Sequence, residues 1–125
     1  MSFHRLREPR VYIPNLGFHD YTKAQKWGKL VFLTRGTVDR FEVGKIARSC
    51  ADAMAEAESD DYLMITSLSV INSIASGILS RRFGRVNFLL HDPRIDDYSL
   101  RSVDLTWGIE EGAEDVSGQG VLQRA

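Results

Sequence analysis

The sequence predicts a small α/β fold: a three-layer sandwich on a mostly parallel sheet, of the kind that makes half of a Rossmann-like or flavodoxin-like domain, finished by a C-terminal edge strand. Three observations predict it. Lys29–Thr34 is a nearly continuous apolar run, the pattern of a strand covered on both faces. Residues 60–92 join an apolar strand (Tyr62–Thr66), a serine-bearing turn, a helix and a second apolar strand (Val86–Leu90) into one βαβ unit. Between these segments Val43, Ile46, Ala47, Cys50, Ala51 and Met54 recur at helical spacing over several turns.

Size and composition agree with one such domain. A chain of 125 residues can bury one core but not two, and 43% hydrophobic against 26% charged residues argues against wholesale disorder. Sixteen Lys+Arg against seventeen Asp+Glu leave a formal charge of -1, so there is no global positive field for nucleic acid or an anionic membrane. The single cysteine, Cys50, has no internal disulfide partner. The first residues hold no apolar run of signal-peptide type, and Val70–Leu79 is too short and too interrupted to span a membrane. These features predict a cytosolic, membrane-free setting.

Along the chain, residues 1–10 read as a basic arm carrying Arg5, Arg7 and Arg10, residues 11–107 as the α/β domain, and residues 108–125 as a flexible, glycine-rich acidic tail. Val11-Tyr12-Ile13 is a short strand stopped by Pro14. Thr22 and Gln25 have capping-box spacing for a short helix ending at Gly28, and Asp39 and Glu42 have it for the long helix, which should run from about Arg40 to Glu58. In the next helix Ile71, Ile74, Ala75 and Ile78 form the buried stripe, with Arg81, Arg82 and Gly84 at its end. Pro93 ends the strand that follows. The alternation Val103, Leu105, Trp107 against Ser102, Asp104, Thr106 then predicts a half-buried edge strand that can run antiparallel.

In an open parallel sheet ligands bind beyond the carboxyl ends of the strands. Three turns fall there: Arg35-Gly36-Thr37, Ser67-Leu68-Ser69 and His91-Asp92. Converging on one crevice, their guanidinium, hydroxyl-capped helix starts and imidazole beside a carboxylate would suit a phosphate or nucleotide ligand, and could serve a hydrolase. The plainer reading takes Thr37, Asp39, Ser67 and Ser69 as helix caps. No glycine-rich phosphate loop, HExxH, CxxC or Gly-x-Ser-x-Gly pattern is present, so no metal, no cofactor and no catalytic residue is predicted. Cys50 lies on an apolar helix stripe and reads as core. His19-Asp20 and His91-Asp92 are adjacent pairs whose side chains diverge, so neither makes a site alone.

Two features point instead to contacts with other chains. Ser73, Ser76, Gly77 and Ser80 give one helix a face with almost no bulk, open to close approach by another element or subunit. The basic arm (Arg5, Arg7, Arg10) and the acidic tail (Glu110, Glu111, Glu114, Asp115) carry opposite charge, so that the arm of one copy can meet the tail of another. Only the arm could contact nucleic acid.

The run Tyr12-Ile13-Pro14-Asn15, Gly17, His19-Asp20-Tyr21, Leu30–Thr34, Gly36 and Asp39-Arg40-Phe41 resembles a group of small uncharacterised proteins encoded by phages and prophages, as do Asp60-Asp61-Tyr62, Ser67, Asn72–Ala75 and Gly84-Arg85. The likeness covers about residues 12–90. It implies a phage setting, in the host cytoplasm or the virion, and transfers no site. The expectation is a non-enzymatic α/β module acting through protein contacts or self-assembly, with the phosphate- or nucleotide-binding module as the alternative.

Overall fold

The computed structural model describes residues 7–17 and 19–106. The basic residue Arg5 and the four acidic tail residues Glu110, Glu111, Glu114 and Asp115 lie outside them. The described elements are β1 (Arg10–Leu16), a 3-10 helix (Thr22–Lys26), β2 (Lys29–Arg35), α1 (Val43–Ala53), β3 (Tyr62–Met64), α2 (Ser69–Phe83), β4 (Arg85–Asp92) and β5 (Asp97–Asp104). They form one α/β sheet of order β2-β1-β3-β4-β5. The first four strands are mutually parallel; β5 pairs antiparallel to β4 through a hairpin that matches Arg85 with Asp104 and Asp92 with Asp97.

This order dictates where the helices go. The chain steps from β1 to one side to make β2, then returns across β1 to make β3 and continues outward to β4. Right-handed crossovers in opposite directions must lie on opposite faces of the sheet. The 3-10 helix therefore covers one face, where Ala24, Tyr21 and Trp27 pack with Val11, Ile13, Met64 and Leu89. Both α-helices share the other face, where Ile46, Cys50, Ile71, Ala75 and Leu79 pack with Tyr12, Leu33, Leu63 and Val86. Opposite the α-helices the sheet carries only this five-residue 3-10 helix, not the full helical layer that the sequence predicts.

Several boundaries differ from expectation for physical reasons. Strand β1 runs through Pro14. Pairing between β1 and β3 covers only Val11 and Tyr12, so Pro14 lies past the end of that ladder and its missing N–H breaks nothing. Helix α1 begins at Val43 rather than Arg40 and stops at Ala53. Neither expected capping box forms: the Asp39 carboxylate accepts the Phe41 N–H and the Asp20 carboxylate accepts the Thr22 N–H, each a local turn ahead of its helix. The buried stripe of α1 narrows to Ile46, Cys50 and Met54, leaving Val43 exposed. Arg82 of α2 does not serve its own helix end; its Nη1 donates to the carbonyl of Met54, just past α1, at 2.9 Å. Gly84 closes α2 at φ +69°, and a Cβ there would sit 2.3 Å from the Thr106 methyl, so glycine is required on both counts.

The amino end of the sheet is locked by polar side chains. Asp61, 2% exposed, accepts both Nη1 and Nη2 of Arg7 (3.2 and 2.9 Å) and the backbone N–H groups of Arg10 and Glu58 (3.0 and 2.9 Å). Asn87, also buried, donates its amide to the carbonyls of Ser59 and Asp61 and accepts from Ser102 Oγ at 2.7 Å. Arg10, which opens β1, lies 3.5 Å from Glu56. Arg7 and Arg10, expected in a free arm, are thus tied to the fold.

Burial alone would raise the Asp61 pKa, but the Arg7 hydrogen bonds, then the N–H groups of Glu58 and Arg10, outweigh it and hold the carboxyl below its ordinary value. A lowered folded pKa contributes stability that is complete above the unfolded value of about 3.9 and is lost as pH falls through the folded value. Asp61→Ala should cost about 3–5 kcal/mol by stranding Arg7 and two backbone donors. Asp61→Asn should lower Tm and flatten its pH dependence below about pH 4. Thermal melts from pH 2 to 7 check both; an Asn variant that melts with the parent throughout would refute this role.

Candidate functional site

At the carboxyl end of the sheet the chain opens a crevice of about 560 Å³. The loop after β1 forms one wall with His19, Asp20 and Tyr21; His91 of β4 and Tyr98 of β5 form the other; Met64 to Leu68, leaving β3, make the floor and end. The crevice straddles β1 and β3, where the winding of the chain reverses, and that reversal splays the two loops apart. Its volume is in the range that holds a small ligand.

Its walls are pinned by the fold. Lys23 Nζ donates to the carboxylate and the carbonyl of Asp96, both at 2.8 Å, and Lys26 pairs with Asp97, so two ion pairs fasten the 3-10 helix to the β4–β5 hairpin. His91 Nε2 lies 3.3 Å from Asp96 Oδ1, and its ring meets that of Tyr98 edge-on at 5.5 Å. On the opposite wall the Tyr21 ring lies 6.1 Å from His19 and 6.3 Å from Phe32. Burial raises the pKa of both Tyr21 and Tyr98, so both stay neutral phenols near pH 7. Asp20 is held below its ordinary pKa by the backbone N–H and then the hydroxyl of Thr22 and is ionised there.

The turn after β3 is fastened differently from expectation. Neither Ser67 nor Ser69 caps α2; the N-cap position is Leu68 and no side chain bonds there. The work falls to Asn72, whose Nδ2 donates to the Thr66 carbonyl at 2.7 Å while its Oδ1 accepts the Thr66 N–H, and to Thr66 Oγ1, which accepts the Leu68 N–H. Asn72 carries a readable signal: an amide in the first turn of an apolar helix, where it competes for backbone groups.

The seven candidate ligand residues do not gather at one place. Ser67 and His91 line the crevice. Arg35 and Thr37 line a separate hollow of about 460 Å³ beside the start of α1. Ser69 joins Ser67 and Arg40 around a smaller one of about 180 Å³. Gly36 makes the turn after β2 at φ +71°, its N–H bonded to the Leu16 carbonyl. The Asp92 carboxylate is occupied by Arg94, whose Nη2 donates to it at 2.8 Å. The sequence points to His19-Asp20 only as an adjacent pair that makes no site alone, and gives no sign of Asn15, Tyr21 or Tyr98, because only the strand order shows that the loop after β1 faces the hairpin.

The small face of α2 is open in the chain as described. Ser76 Oγ donates to the Asn72 carbonyl, Ser80 Oγ to that of Gly77, and a Cβ at Gly77 would meet nothing within 4 Å. Ser73 is exposed beside them. No group of three or more metal-ligating side chains occurs among the described residues, and no helix among them is long and apolar enough to cross a membrane.

Fold and crevice together define a small α/β protein with a mixed five-stranded sheet and an open strand-end face. Its family model is that of the Phage Pam3 gp32-like protein, which matches residues 9–105, and the chain belongs to that family. The phage-protein family to which the sequence resemblance pointed is thereby shown. No curated protein and no solved structure matches the chain.

Burial pushes the Cys50 thiol up to about 11, and its side chain sits in the helix-side core, far from the crevice. The native protein should therefore leave Cys50 unmodified by a thiol reagent at pH 8, with full labelling on denaturation. Rapid labelling of the folded protein would contradict this placement.

Proposed function

We propose that this phage protein is a non-enzymatic contact module, a virion or accessory component or a binder of a host protein, and that it docks its partner through the carboxyl end of its sheet. One observation carries the reading. The three most exposed large apolar side chains among the described residues, Phe41 at 77%, Ile95 at 61% and Val43 at 54%, all stand at that end, two on loops and Val43 at the first residue of α1. Phe41 and Val43 precede and open α1 after β2, Ile95 tips the hairpin after β4, and Leu68 stands between them at the start of α2. Scattered exposed apolar residues, such as Leu105 and Val103 at the other end of the sheet, need no explanation, but the three most exposed gathered at one end have the composition of a docking rim. Arg40 lies over the Phe41 ring at 4.8 Å, adding the arginine and aromatic pairing common at protein interfaces.

The partner is a protein, a second copy included. Arg7 and Arg10 are engaged with Asp61 and Glu56, which favours protein over nucleic acid. The bare Ser73, Ser76, Gly77 and Ser80 face offers a second surface for close approach in an assembly. The sheet order supports relating the fold to a Rossmann-like half-domain. The setting is the host cytoplasm or the virion.

The test is a double substitution, Phe41→Ser with Ile95→Ser, captured from phage-infected cells beside the parent and weighed by native mass spectrometry. The parent should retain one partner or form a defined oligomer. The variant should lose it while its stability stays within about 0.5 kcal/mol, as expected for exposed positions. A parent that is strictly monomeric and partnerless would overturn the proposal.

A further inference from the structure

The crevice has a chemical bias that neither the apolar rim nor the phosphate reading uses. Two histidine and two tyrosine rings line its walls, and no Lys or Arg is among its described lining residues. The nearby ammonium groups of Lys23 and Lys26 are paired with Asp96 and Asp97. Asp20 is the one carboxylate in the lining, and among the described residues it makes no ion pair; its Oδ1 accepts the Thr22 N–H and nothing more basic. Such a site repels phosphate. Ring faces and an uncompensated carboxylate attract a positive charge spread over a flat or globular group.

We infer that the crevice between the β1 loop and the β4–β5 hairpin binds an organic cation, a guanidinium or ammonium group, with Tyr21, Tyr98 and His91 supplying ring faces and Asp20 the counter-charge. The group can belong to a free small molecule or to a basic side chain of a protein. The inference concerns the crevice alone and stands whether or not the rim around it docks a partner. At about 560 Å³ the crevice is larger than the charged group itself and leaves room for the rest of the ligand. The wall geometry is set in advance, because the ion pairs of Lys23 and Lys26 hold the hairpin against the 3-10 helix.

The experiment is a ¹⁵N NMR titration of the full chain with capped arginine amide, capped citrulline amide as the neutral isostere, and inorganic phosphate. Arginine should shift the amides of Thr66, Ser67, His91 and Tyr98; citrulline should bind at least about tenfold more weakly, and phosphate should shift none of them. Asp20→Asn, which keeps an acceptor for Thr22, and Tyr98→Ala should each weaken arginine several-fold, while Tyr98→Phe, which keeps the ring, should retain binding. An arginine-bearing tripeptide that binds more tightly than capped arginine assigns the cation to a protein side chain; equal affinity assigns it to a free molecule. Citrulline binding as tightly as arginine, phosphate competing with arginine, or no crevice shift at about 10 mM, well above a millimolar Kd, would overturn the inference.

Discussion

The buried carboxylate of Asp61 is the constraint on which the rest of the sheet depends. It stands just ahead of β3, and β3 contributes only three residues to the sheet, too short to be secured by its own ladder. What holds its entry in place is a set of charge-assisted bonds: Arg7 from before β1, the N–H of Arg10 that opens β1, and the N–H of Glu58 from the turn after α1. Asn87 of β4 completes the arrangement by grasping the carbonyl of Asp61 itself. Three strands are thereby brought to a common start, and their register follows.

The two ends of the sheet have been given opposite treatment. At the amino end, the buried Asp61 carboxylate and Asn87 amide are matched within the chain, as low-dielectric surroundings demand, while Trp27 Nε1 is buried there without a hydrogen-bond partner among the described residues. At the carboxyl end, hydroxyls, rings and large apolar side chains face outward. Matched polarity at one end supplies rigidity; unspent surface at the other is where a partner or ligand can gain from contact.

Much of this was legible in the sequence, and what escaped did so for identifiable reasons. Continuous apolar runs correctly announced parallel strands at β2, β3 and β4, because a strand covered on both faces must be apolar throughout. The end of helix α2 was placed correctly, since Gly84 is a chain-local stop signal. The N-terminal cap was misread at every helix, because Ser, Thr and Asp have many local bonding options and the choice among them depends on how the incoming loop approaches. The crevice was half legible. Its Ser67 and His91 sit at strand ends, while Asn15, His19, Asp20, Tyr21 and Tyr98 become its neighbours only once β1 is placed between β2 and β3. Asp61 read as a turn residue; nothing local shows that its partner is 54 positions upstream.

That separation bears on how the chain closes. The Arg7 to Asp61 contact bridges a loop of 54 residues, so its formation must bear the entropy of bringing distant segments together. Until Asp61 has been synthesised and folded down, Arg7 lacks its buried counter-charge, and only the more exposed carboxylates of Glu56 and Glu58 are there to meet the basic start of β1. The contact acts as a latch on the first half of the molecule, tying the segment before β1 to the turn after α1. A chain interrupted before residue 61 would hold β1, β2 and α1 but lack the group that fastens them.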